Sequence, residues 1–328
     1  MFTRSLCLVL GLAATGLSAT GLSADPLPSW NDTDAKSRII DFVVGASDPD
    51  SEDFVVQADR IAVFDNDGTL WAEQPVYFQL LYGIDFVARK GAEDPDFLTT
   101  DALNAAAAGD IEALMATGEE GLLEVVNASH ADMSVETFQA GVLTWLDTAK
   151  HPKTGKRYDE MLYQPMLELL RYLRDEGFAT YIVSGGGIHF MRAFAEDAYN
   201  IPPQQVIGSS IKSSYEVIDG TPTVLKDPGI AFIDDKEGKP IAIETRIGKR
   251  PIFAAGNSDG DFQMLEWTTA GEGPRFGLIV HHTDATREYA YDRDSHIGQL
   301  ARGLDEGPDR GWLIVDMAED WGTVWPSE

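Results

Sequence analysis

The sequence predicts an α/β protein with a doubly wound, mainly parallel sheet and an inserted all-helical cap. Short apolar segments typical of buried strands alternate with amphipathic helices along most of the chain. Between residues 75 and 151 the strand pattern is missing, and apolar residues recur at helical spacing instead. We therefore expect a Rossmann-like core of residues 25–70 and 160–328, with a helical cap of residues 71–159 that follows the first strand.

Composition and charge narrow the classes of function. Of 328 residues, 44% are apolar and 10% are aromatic, which is enough for one large domain or for a core with an inserted subdomain. The 54 acidic residues outnumber the 25 basic ones and give a net charge of -29. This field repels nucleic acid and anionic lipid, so neither is an expected partner. A phosphate site in this chain would have to supply its own positive charge or metal.

The N-terminus has the features of a secretory signal peptide. A basic residue is followed by a short apolar run and then by small residues, which predicts a signal over residues 1–24. An uncleaved membrane anchor is the alternative. Cys7 would leave with the signal, so the mature chain would have no cysteine for disulfides, thiolate metal sites or catalysis. We expect a secreted, periplasmic protein without a membrane partner after cleavage.

The elements before and within the cap are predicted from periodicity and from proline. Residues 34–47 have the pattern of a short helix, and the apolar residues 60–64 form a strand that is buried on both faces. Pro75 favours a helix start at the beginning of the cap, and no strand pattern interrupts residues 75–151. A polar, basic linker at residues 151–159 marks the end of the insertion.

Beyond the linker, helices and strands alternate again. A helix begins at Pro165 and ends at Gly177, which is a favourable residue for a helix terminus. The remaining predicted elements are a strand over 179–187, a helix over 188–199, a strand or hairpin pair over 204–225, a strand with a polar turn over 251–261, and strands over 276–282 and 312–317. This order is typical of a doubly wound sheet.

Three predicted strands end in polar clusters that point to a common site. The clusters are "DNDGT" after the first strand, "SGGG" after the strand at 179–187, and "GNSDGD" after the strand that begins near residue 251. Each cluster alone is ordinary turn chemistry. Ligands of open α/β sheets, however, bind outside the carboxyl ends of the strands, where these clusters would meet.

The first cluster contains two aspartates whose carboxylates are close enough to repel each other. Asp65 stands at the strand tip, Asp67 is the next outward residue, and Gly68 lets the chain turn away. Two carboxylates this close repel each other unless a divalent cation sits between them or one holds a proton. A cation can orient a phosphate, and a protonated aspartate can donate to a leaving oxygen. Asp65 would then be the nucleophile, forming an aspartyl-phosphate.

The other two clusters supply complementary groups. Ser184 and Gly185 combine a hydroxyl with backbone N–H groups at a helix start, which suits an anion. Lys236 or Lys239, which lie between the second and third clusters, could bring an ammonium to the phosphate and to Asp65. The third cluster contains the oxygen donors that Mg²⁺ prefers, Asn257, Asp259 and Asp261.

These motifs, in this order, resemble the four motifs of the haloacid dehalogenase superfamily, and most closely its phosphoserine-phosphatase-like branch with a helical cap. The resemblance implies Mg²⁺-dependent hydrolysis of phosphate esters. It implies that Asp65 is nucleophile and metal ligand, and that Asp67 is the acid/base and binds metal through its carbonyl. Ser184 and Gly185 would bind phosphate, and the motif lysine falls on Lys239, with Lys236 as the alternative.

The sequence departs from the family pattern at two places. Asn257 aligns with the first aspartate of the fourth motif, which leaves Asp261 as the second acid and makes Asp259 an alternative metal ligand. In phosphoserine phosphatases a glutamate after the first motif holds the substrate amine. Gln74 falls at that spacing here, and Glu73 is one residue early. Phosphoserine itself is therefore not the predicted substrate.

The function predicted from these residues is hydrolysis of a small phosphorylated metabolite through an aspartyl-phosphate. Two alternatives remain open, a non-catalytic protein that binds Mg²⁺ and a phosphate ester, motivated by Asn257, and a carbon–halogen hydrolase. Asp67 argues against the latter, because a halide leaving group needs no proton donor. The sequence does not predict the substrate's identity or an oligomeric state.

Overall fold

The computed structural model describes residues 24–327, which fold into an eight-stranded sheet with helices on both faces. The strands are β1 Ile61–Phe64, β2 Met133–Ser134, β3 Ala179–Gly187, β4 Val206–Ile218, β5 Thr221–Phe232, β6 Phe253–Gly256, β7 Phe276–His281 and β8 Leu313–Asp316. The helices are α1 Asp34–Ser47, α2 Phe78–Glu93, α3 Asp101–Ala108, α4 Ile111–Ala116, α5 Gly118–His130, α6 Val135–Leu146, α7 Gln164–Asp175, α8 Ile188–Tyr199, α9 Gly238–Arg246, α10 Phe262–Thr269, α11 Arg302–Glu306 and α12 Met317–Asp320.

The strand order is β2-β5-β4-β3-β1-β6-β7-β8. The six strands from β4 to β8 in this order are parallel, whereas β5 pairs antiparallel with both β4 and β2. Strand β1 lies between β3 and β6. From β1 the chain adds β3 and β4 on one side, and it later adds β6, β7 and β8 on the other side, so β1 and β6 flank the topological switch point. The predicted fold class, a doubly wound and mainly parallel sheet with an inserted cap, is confirmed.

Strand β1 is apolar throughout because both faces of the sheet are covered. Ala62 and Phe64 point into a core that includes α1 and α7, while Ile61 and Val63 point into the core on the other face with α9 and α10. All four residues are buried. The alternating side chains of this strand therefore meet apolar partners on both sides, as the uninterrupted apolar run predicts.

The insertion between β1 and β3 contains the five helices α2 to α6 and one exception to the all-helical prediction. Met133 and Ser134 form β2, which pairs with Lys226 and Leu225 of β5. Two residues are too few to produce an alternating pattern, so the sequence does not reveal this strand. The long hairpin β4–β5 thus extends the sheet as far as the insertion. The division at residues 71–159 stays a prediction.

Residues close to the start of the described range belong to the core. Leu27 and Trp30 are buried, and the Trp30 ring packs edge-on against Trp321 at a centroid distance of 6.0 Å. The predicted signal segment lies outside the described residues, apart from residue 24. No helix within residues 24–327 has the length and apolarity needed to cross a membrane.

Candidate active site

Asp65 follows β1 directly and begins a tight turn. Its backbone N–H donates to Ala255 O of β6 at 2.9 Å, which continues the sheet by one residue. The turn needs glycine at position 68, where φ is +71°. A Cβ there would lie 2.1 Å from Asn257 Nδ2 and 2.4 Å from Glu73 Oε1. Gly68 therefore allows the first cluster to close against the third.

A buried lysine joins the first and third clusters. Lys239 Nζ lies 2.9 Å from Asp65 Oδ1, donates to Asp261 Oδ1 at 2.6 Å, and donates to Val183 O at 3.0 Å. Lys239 comes from α9 and is only 1% exposed. Lys236, the alternative, is exposed on the turn before that helix. Of the two lysines, the structure thus brings Lys239 to Asp65.

The pKa values at this cluster are shifted by burial and by neighbouring charge. Burial, and then repulsion from Asp261, raises the pKa of Asp65 to about 8, although Lys239 opposes the shift. Burial alone would lower the pKa of Lys239, but Asp261 and Asp65 outweigh it and raise that pKa. The site therefore holds more negative than positive charge in a desolvated space, which favours a bound cation or a retained proton.

Asp67 is held by the indole of the residue four positions later. Trp71 Nε1 donates to Asp67 Oδ1 at 2.8 Å, and the indole is fully buried against Phe194 at a centroid distance of 4.5 Å. Burial raises the pKa of Asp67 above its usual value, although the bond from Trp71 opposes this shift. Trp71 therefore holds the Asp67 carboxyl in place, while burial shifts its pKa in the direction that a proton donor needs.

The second cluster lies beside these acids at the end of β3. Ser184 is buried, and its Oγ accepts a hydrogen bond from Gly186 N at 3.1 Å. A Cβ at Gly186 would lie 3.3 Å from Asp67 Oδ2, so the loop approaches Asp67 closely. Gly187 N donates to Gln79 Oε1 of α2 at 2.6 Å. One N–H of the predicted anion cradle therefore already donates to the insertion. The acceptor, Gln79, is not among the residues predicted from the sequence.

Asp261 is fully occupied by groups of the protein. Besides the bond from Lys239 to Oδ1, its Oδ2 accepts hydrogen bonds from Asn257 N at 2.9 Å and Ser258 N at 3.1 Å. It has no exposed surface. Both oxygens of Asp261 thus have partners among the described residues, and its role as a metal ligand stays a prediction. These bonds place Asp261 where it positions Lys239 and the third cluster.

Asp259 is also occupied. Its Oδ2 accepts from Ala301 N at 3.1 Å and Arg302 N at 3.0 Å, and its Oδ1 accepts from Gly303 N at 2.9 Å. These bonds satisfy the N–H groups at the start of α11, where an acidic side chain is favoured. Asp259 therefore binds a neighbouring helix end and is not directed to Asp65 as an alternative ligand.

Glu73 supplies a buried carboxylate that the family pattern does not contain at this position. Its Oε1 accepts from Asn257 Nδ2 at 2.6 Å and from the Tyr291 hydroxyl at 2.8 Å. Burial raises the pKa of Glu73 well above its usual value. Gln74 turns away and donates to Ile297 O at 3.1 Å. The acid that appears one residue early in the sequence is therefore the one that reaches the site.

Magnesium fits the residues present, although not through a cluster of acids. No group of three or more His, Cys, Asp or Glu side chains within residues 24–327 is arranged to hold a metal. The set implied by the resemblance is Asp65, the Asp67 carbonyl, Asn257 and Asp261. Asp65 Oδ1 is buried and has no aligned hydrogen-bond partner, although Lys239 Nζ lies 2.9 Å away, and Asn257 Oδ1 accepts a long hydrogen bond from Thr69 Oγ1 at 3.2 Å. A buried carboxylate together with carbonyl and amide oxygens is a donor set that suits a hard cation.

A cavity of about 510 Å³ opens over the clusters. Asp65, Asp67, Ser184, Gly185 and Lys239 all line it. Further parts of its wall come from the insertion, from the start of α8 and from the hairpin β4–β5. These predicted site residues are therefore together at the carboxyl edge of the sheet, whereas Asp261 and Asn257 do not line the cavity.

Comparison with known families identifies the architecture. Residues 62–266 match the family described as haloacid dehalogenase-like hydrolase, and this match covers more than half of the chain. The chain belongs to this family of hydrolases. The matched region contains all three polar clusters and the insertion, so the predicted membership of the superfamily is confirmed. No curated protein matches the sequence.

Three solved structures with a similar fold have low sequence identity to this chain. A conserved protein of unknown function from Anaerococcus prevotii DSM 20548 is 17% identical, with a TM-score of 0.53 and coverage of 80% of this chain and 89% of that one. A protein of unknown function from Bordetella pertussis Tohama I is 19% identical, with a TM-score of 0.48 and coverage of 79% and 98%. A phosphoserine phosphohydrolase-like protein from Francisella tularensis is 18% identical, with a TM-score of 0.39 and coverage of 76% and 98%. At 17% identity, the likeness to the Anaerococcus protein shows the fold alone.

Proposed function

We propose that this hydrolase cleaves phosphate monoesters through an aspartyl-phosphate on Asp65. The observation that carries the proposal is that two aspartates with different partners line one cavity. Asp65 Oδ1 lies 2.9 Å from the Lys239 ammonium, which opposes the rise in the Asp65 pKa that burial causes, whereas Asp67 accepts a hydrogen bond from Trp71 and burial raises its pKa. One carboxylate is thus placed beside a cation that supports attack as an anion, and the other is placed to donate a proton.

In the first step, a carboxylate oxygen of Asp65 attacks the phosphorus of the bound ester. A bond forms between Asp65 and phosphorus while the bond from phosphorus to the ester oxygen breaks, and Asp67 gives its proton to the leaving alcohol. Lys239 and the Ser184 hydroxyl offset the charge on the phosphoryl oxygens.

In the second step, Asp67 is ionised and accepts a proton from water. The oxygen of this water attacks the phosphorus, the bond to Asp65 breaks, and inorganic phosphate leaves with both aspartates in their starting states. Lys239 stays paired with Asp261 throughout, so the ammonium keeps its position while the charge on Asp65 changes. The walls supplied by the insertion limit the access of water to the reacting end.

Mg²⁺ is the cofactor that we propose for this site. Asp65, the Asp67 carbonyl and Asn257 Oδ1 would hold it, and when bound it would orient the phosphate and offset its negative charge. Because the net charge of -29 repels anionic substrates, a phosphate site in this protein needs local positive charge, which Mg²⁺ would supply. Glu73, hydrogen-bonded to Asn257, would add a carboxyl group behind the neutral amide, where a nearby cation would favour its ionised form.

The direct test is phosphate release from phenyl phosphate by the chain that begins at Asp25. We expect release with Mg²⁺, loss of release with a chelator, and at least a thousandfold loss in Asp65→Asn, because a nucleophile cannot be replaced by its amide. Asp294→Asn, at an exposed position, is the matched control and should behave as the wild type. Halide release from a small haloacid without Mg²⁺ would instead identify a carbon–halogen hydrolase, and tight ester binding without turnover would identify a binding protein.

Secretion to the periplasm is part of the same proposal. It is supported by the contact made directly after the predicted cleavage site, where Asp25 Oδ2 pairs with Lys36 Nζ at 2.6 Å. Removal of residues 1–24 would leave this contact intact. Expression of the full chain in a bacterial host followed by fractionation tests it. A shortened chain that begins near Asp25 in the periplasmic fraction is expected, and a full-length chain in the membrane fraction would contradict it.

A further inference from the structure

The cavity that Asp65 lines also contains a buried lysine outside the motif clusters. Lys226 lines this cavity and is only 3% exposed. It belongs to β5 and pairs with Met133 of β2 on one side and Ser213 of β4 on the other. Neighbouring strands thus fix its backbone on both sides, which makes the position of its side chain well defined.

Lys226 has no acidic partner. None of the ion pairs formed within residues 24–327 includes it. Its hydrogen-bond partner is His189 Nδ1 at 3.2 Å, and its Nζ lies 4.3 Å from the centre of the Phe138 ring. An ammonium has three donors, so a buried lysine with one acceptor and one aromatic face is incompletely satisfied. An anion in the cavity would remove this cost.

The other titratable groups around Lys226 leave it as the cation of this region. Burial lowers the pKa of His130 to about 3 and that of His189 to about 4, so both imidazoles are neutral near pH 7. Burial also lowers the pKa of Lys226, to about 8, which leaves it largely charged at that pH. Since His189 accepts from Lys226 through Nδ1, its Nε2 carries the proton of the neutral ring and is a further donor.

We propose that Lys226 and His189 form a second anion subsite, so that the substrate is a phosphate monoester whose alcohol portion carries a further carboxylate or phosphate. This inference rests on the proposed function and specifies its substrate class. The subsite lies in the same cavity as Asp65 and Ser184, and His189 is only two residues beyond Gly187 of the second cluster. An alcohol portion with a positive charge would bring like charges together at Lys226 and is disfavoured.

Part of the cavity wall suits a short hydrocarbon linker. Apolar side chains from α2, α5, α6 and β4 line the cavity, namely Leu80, Val125, Phe138 and Ile211, together with polar ones such as Ser129 and Ser210. The apolar part of the wall gains from burying methylene groups. We therefore expect the two anionic groups of the substrate to be separated by carbon atoms, with little polar character between them.

The test compares esters that differ only at the far end. Straight-chain alkyl phosphates of several lengths are paired with analogues that end in a carboxylate or in a second phosphate. For the wild type we expect kcat/KM to be at least about tenfold higher for an anionic analogue than for its neutral partner at the best length. In Lys226→Met this ratio should fall to near one, and in Lys226→Arg it should be retained in part. The carboxylate and bisphosphate arms identify which anion is preferred.

Matched controls and a separate readout keep the test decisive. Lys212→Met removes an exposed lysine from the adjacent strand and should leave the ratio as in the wild type. Because Lys226→Met removes a buried charge without an acidic partner, its melting temperature should not fall. If the variant nevertheless fails to fold, Lys226→Gln takes its place.

Failure of the subsite and failure of the proposed function give different results. Phosphate release at equal kcat/KM for neutral and anionic esters at every length, or an unchanged ratio in Lys226→Met, would overturn the subsite and leave the phosphatase proposal standing. If the wild type releases no phosphate from any ester, the phosphatase proposal fails. Calorimetry with the carboxylate-bearing esters then decides about the subsite: tenfold weaker binding to Lys226→Met supports it, and equal binding overturns it.

Discussion

The side-chain amide of Asn257 donates a 2.6 Å hydrogen bond to the buried carboxylate of Glu73. This bond fixes the orientation of the amide, because its nitrogen must face Glu73 and its oxygen must point elsewhere. Asn257 Oδ1 is in turn 3.2 Å from Thr69 Oγ1, beside the first cluster. The carboxyl group that the family pattern has at position 257 thus has a counterpart in Glu73, which is one hydrogen bond behind the amide of Asn257.

This relationship predicts a charge exchange between the two positions. Glu73→Gln should weaken Mg²⁺ binding by about tenfold, since partners behind a ligand contribute this much to metal affinity. Asn257→Asp alone should also weaken it, because two carboxylates would face each other at hydrogen-bonding distance. The double variant, with the acid moved to position 257, should recover binding. Calorimetric titration with Mg²⁺ measures all three, and Glu244→Gln, at an exposed position, is the control.

One result for Asn257→Asp would contradict the proposed role of Glu73. If Asn257→Asp by itself binds Mg²⁺ more tightly than the wild type, Glu73 is neutral in the folded protein and does not replace the missing family aspartate. The charge-exchange account would then be wrong.

The bond between Asp261 and Lys239 predicts a large loss of stability when it is broken. Asp261→Asn leaves the Lys239 ammonium buried with a weaker partner and disturbs the acceptor for Asn257 N and Ser258 N. Removing one member of a buried pair costs about 3–5 kcal/mol. We expect the free energy of unfolding in urea to fall by this amount, whereas Asp294→Asn should change it by less than about 0.5 kcal/mol. A change as small as the control's would mean that Asp261 does not position Lys239.

A buried acid outside the catalytic pair predicts a pH dependence of stability. Asp234 has no exposed surface and neither of its carboxylate oxygens has a hydrogen-bond partner within the described residues. Burial raises its pKa from 3.8 to about 7. As the pH rises from about 4 to about 7, the unfolded chain releases a proton that the folded chain keeps, so the folded state loses stability.

Asp234→Asn removes this titration. The variant should resemble the wild type in stability near pH 4 and exceed it above pH 7, by on the order of 2–4 kcal/mol. Urea unfolding across this pH range measures the difference, with Asp294→Asn as the exposed control. A stability difference that does not change with pH would show that Asp234 is ionised in the folded protein.

How far the sequence predicts such features depends on whether their partners are adjacent in the chain. Asp65, Asp67 and Ser184 were predicted because each follows an apolar strand directly, and parallel strands bring their carboxyl ends together. Lys239 was separated from Lys236 only by the fold, since α9 directs one of them inward and leaves the other on an exposed turn.

The residues that the sequence missed act across long chain separations. Gln79 reaches Gly187 from the insertion, and Lys226 approaches His189 only because the hairpin β4–β5 extends to β2. No local pattern distinguishes these side chains from surface residues. In the sequence, Glu73 appears only as an acid one residue before the family's glutamate position. Its role cannot be predicted there, because it depends on how the turn at Gly68 closes.

The hydrogen bond from Trp71 to Asp67 predicts a shift in the pH profile of activity. Trp71→Phe keeps the apolar packing but removes the Nε1 donor that opposes the raised pKa of Asp67. The pKa should therefore rise further, and the alkaline limb of the kcat/KM profile should move up by roughly half a unit. Trp267→Phe, a partly buried indole that does not line the cavity, is the control. A shift to lower pH would contradict Asp67 as the proton donor.

Asp65 is the proposed carrier of the phosphoryl group, and the variant Asp67→Asn tests this role separately from proton donation. Para-nitrophenolate leaves without a proton, so Asp67→Asn should still transfer the phosphoryl group from para-nitrophenyl phosphate to Asp65, but should hydrolyse the product slowly because water lacks its base. The measurement combines rapid mixing with peptide mass spectrometry after acid quenching. We predict a burst of nitrophenolate equal to the enzyme concentration and one phosphoryl group on the peptide that contains Asp65. A phosphoryl group on Ser184 or on any other residue, or steady release without a burst and without a modified peptide, would contradict the account.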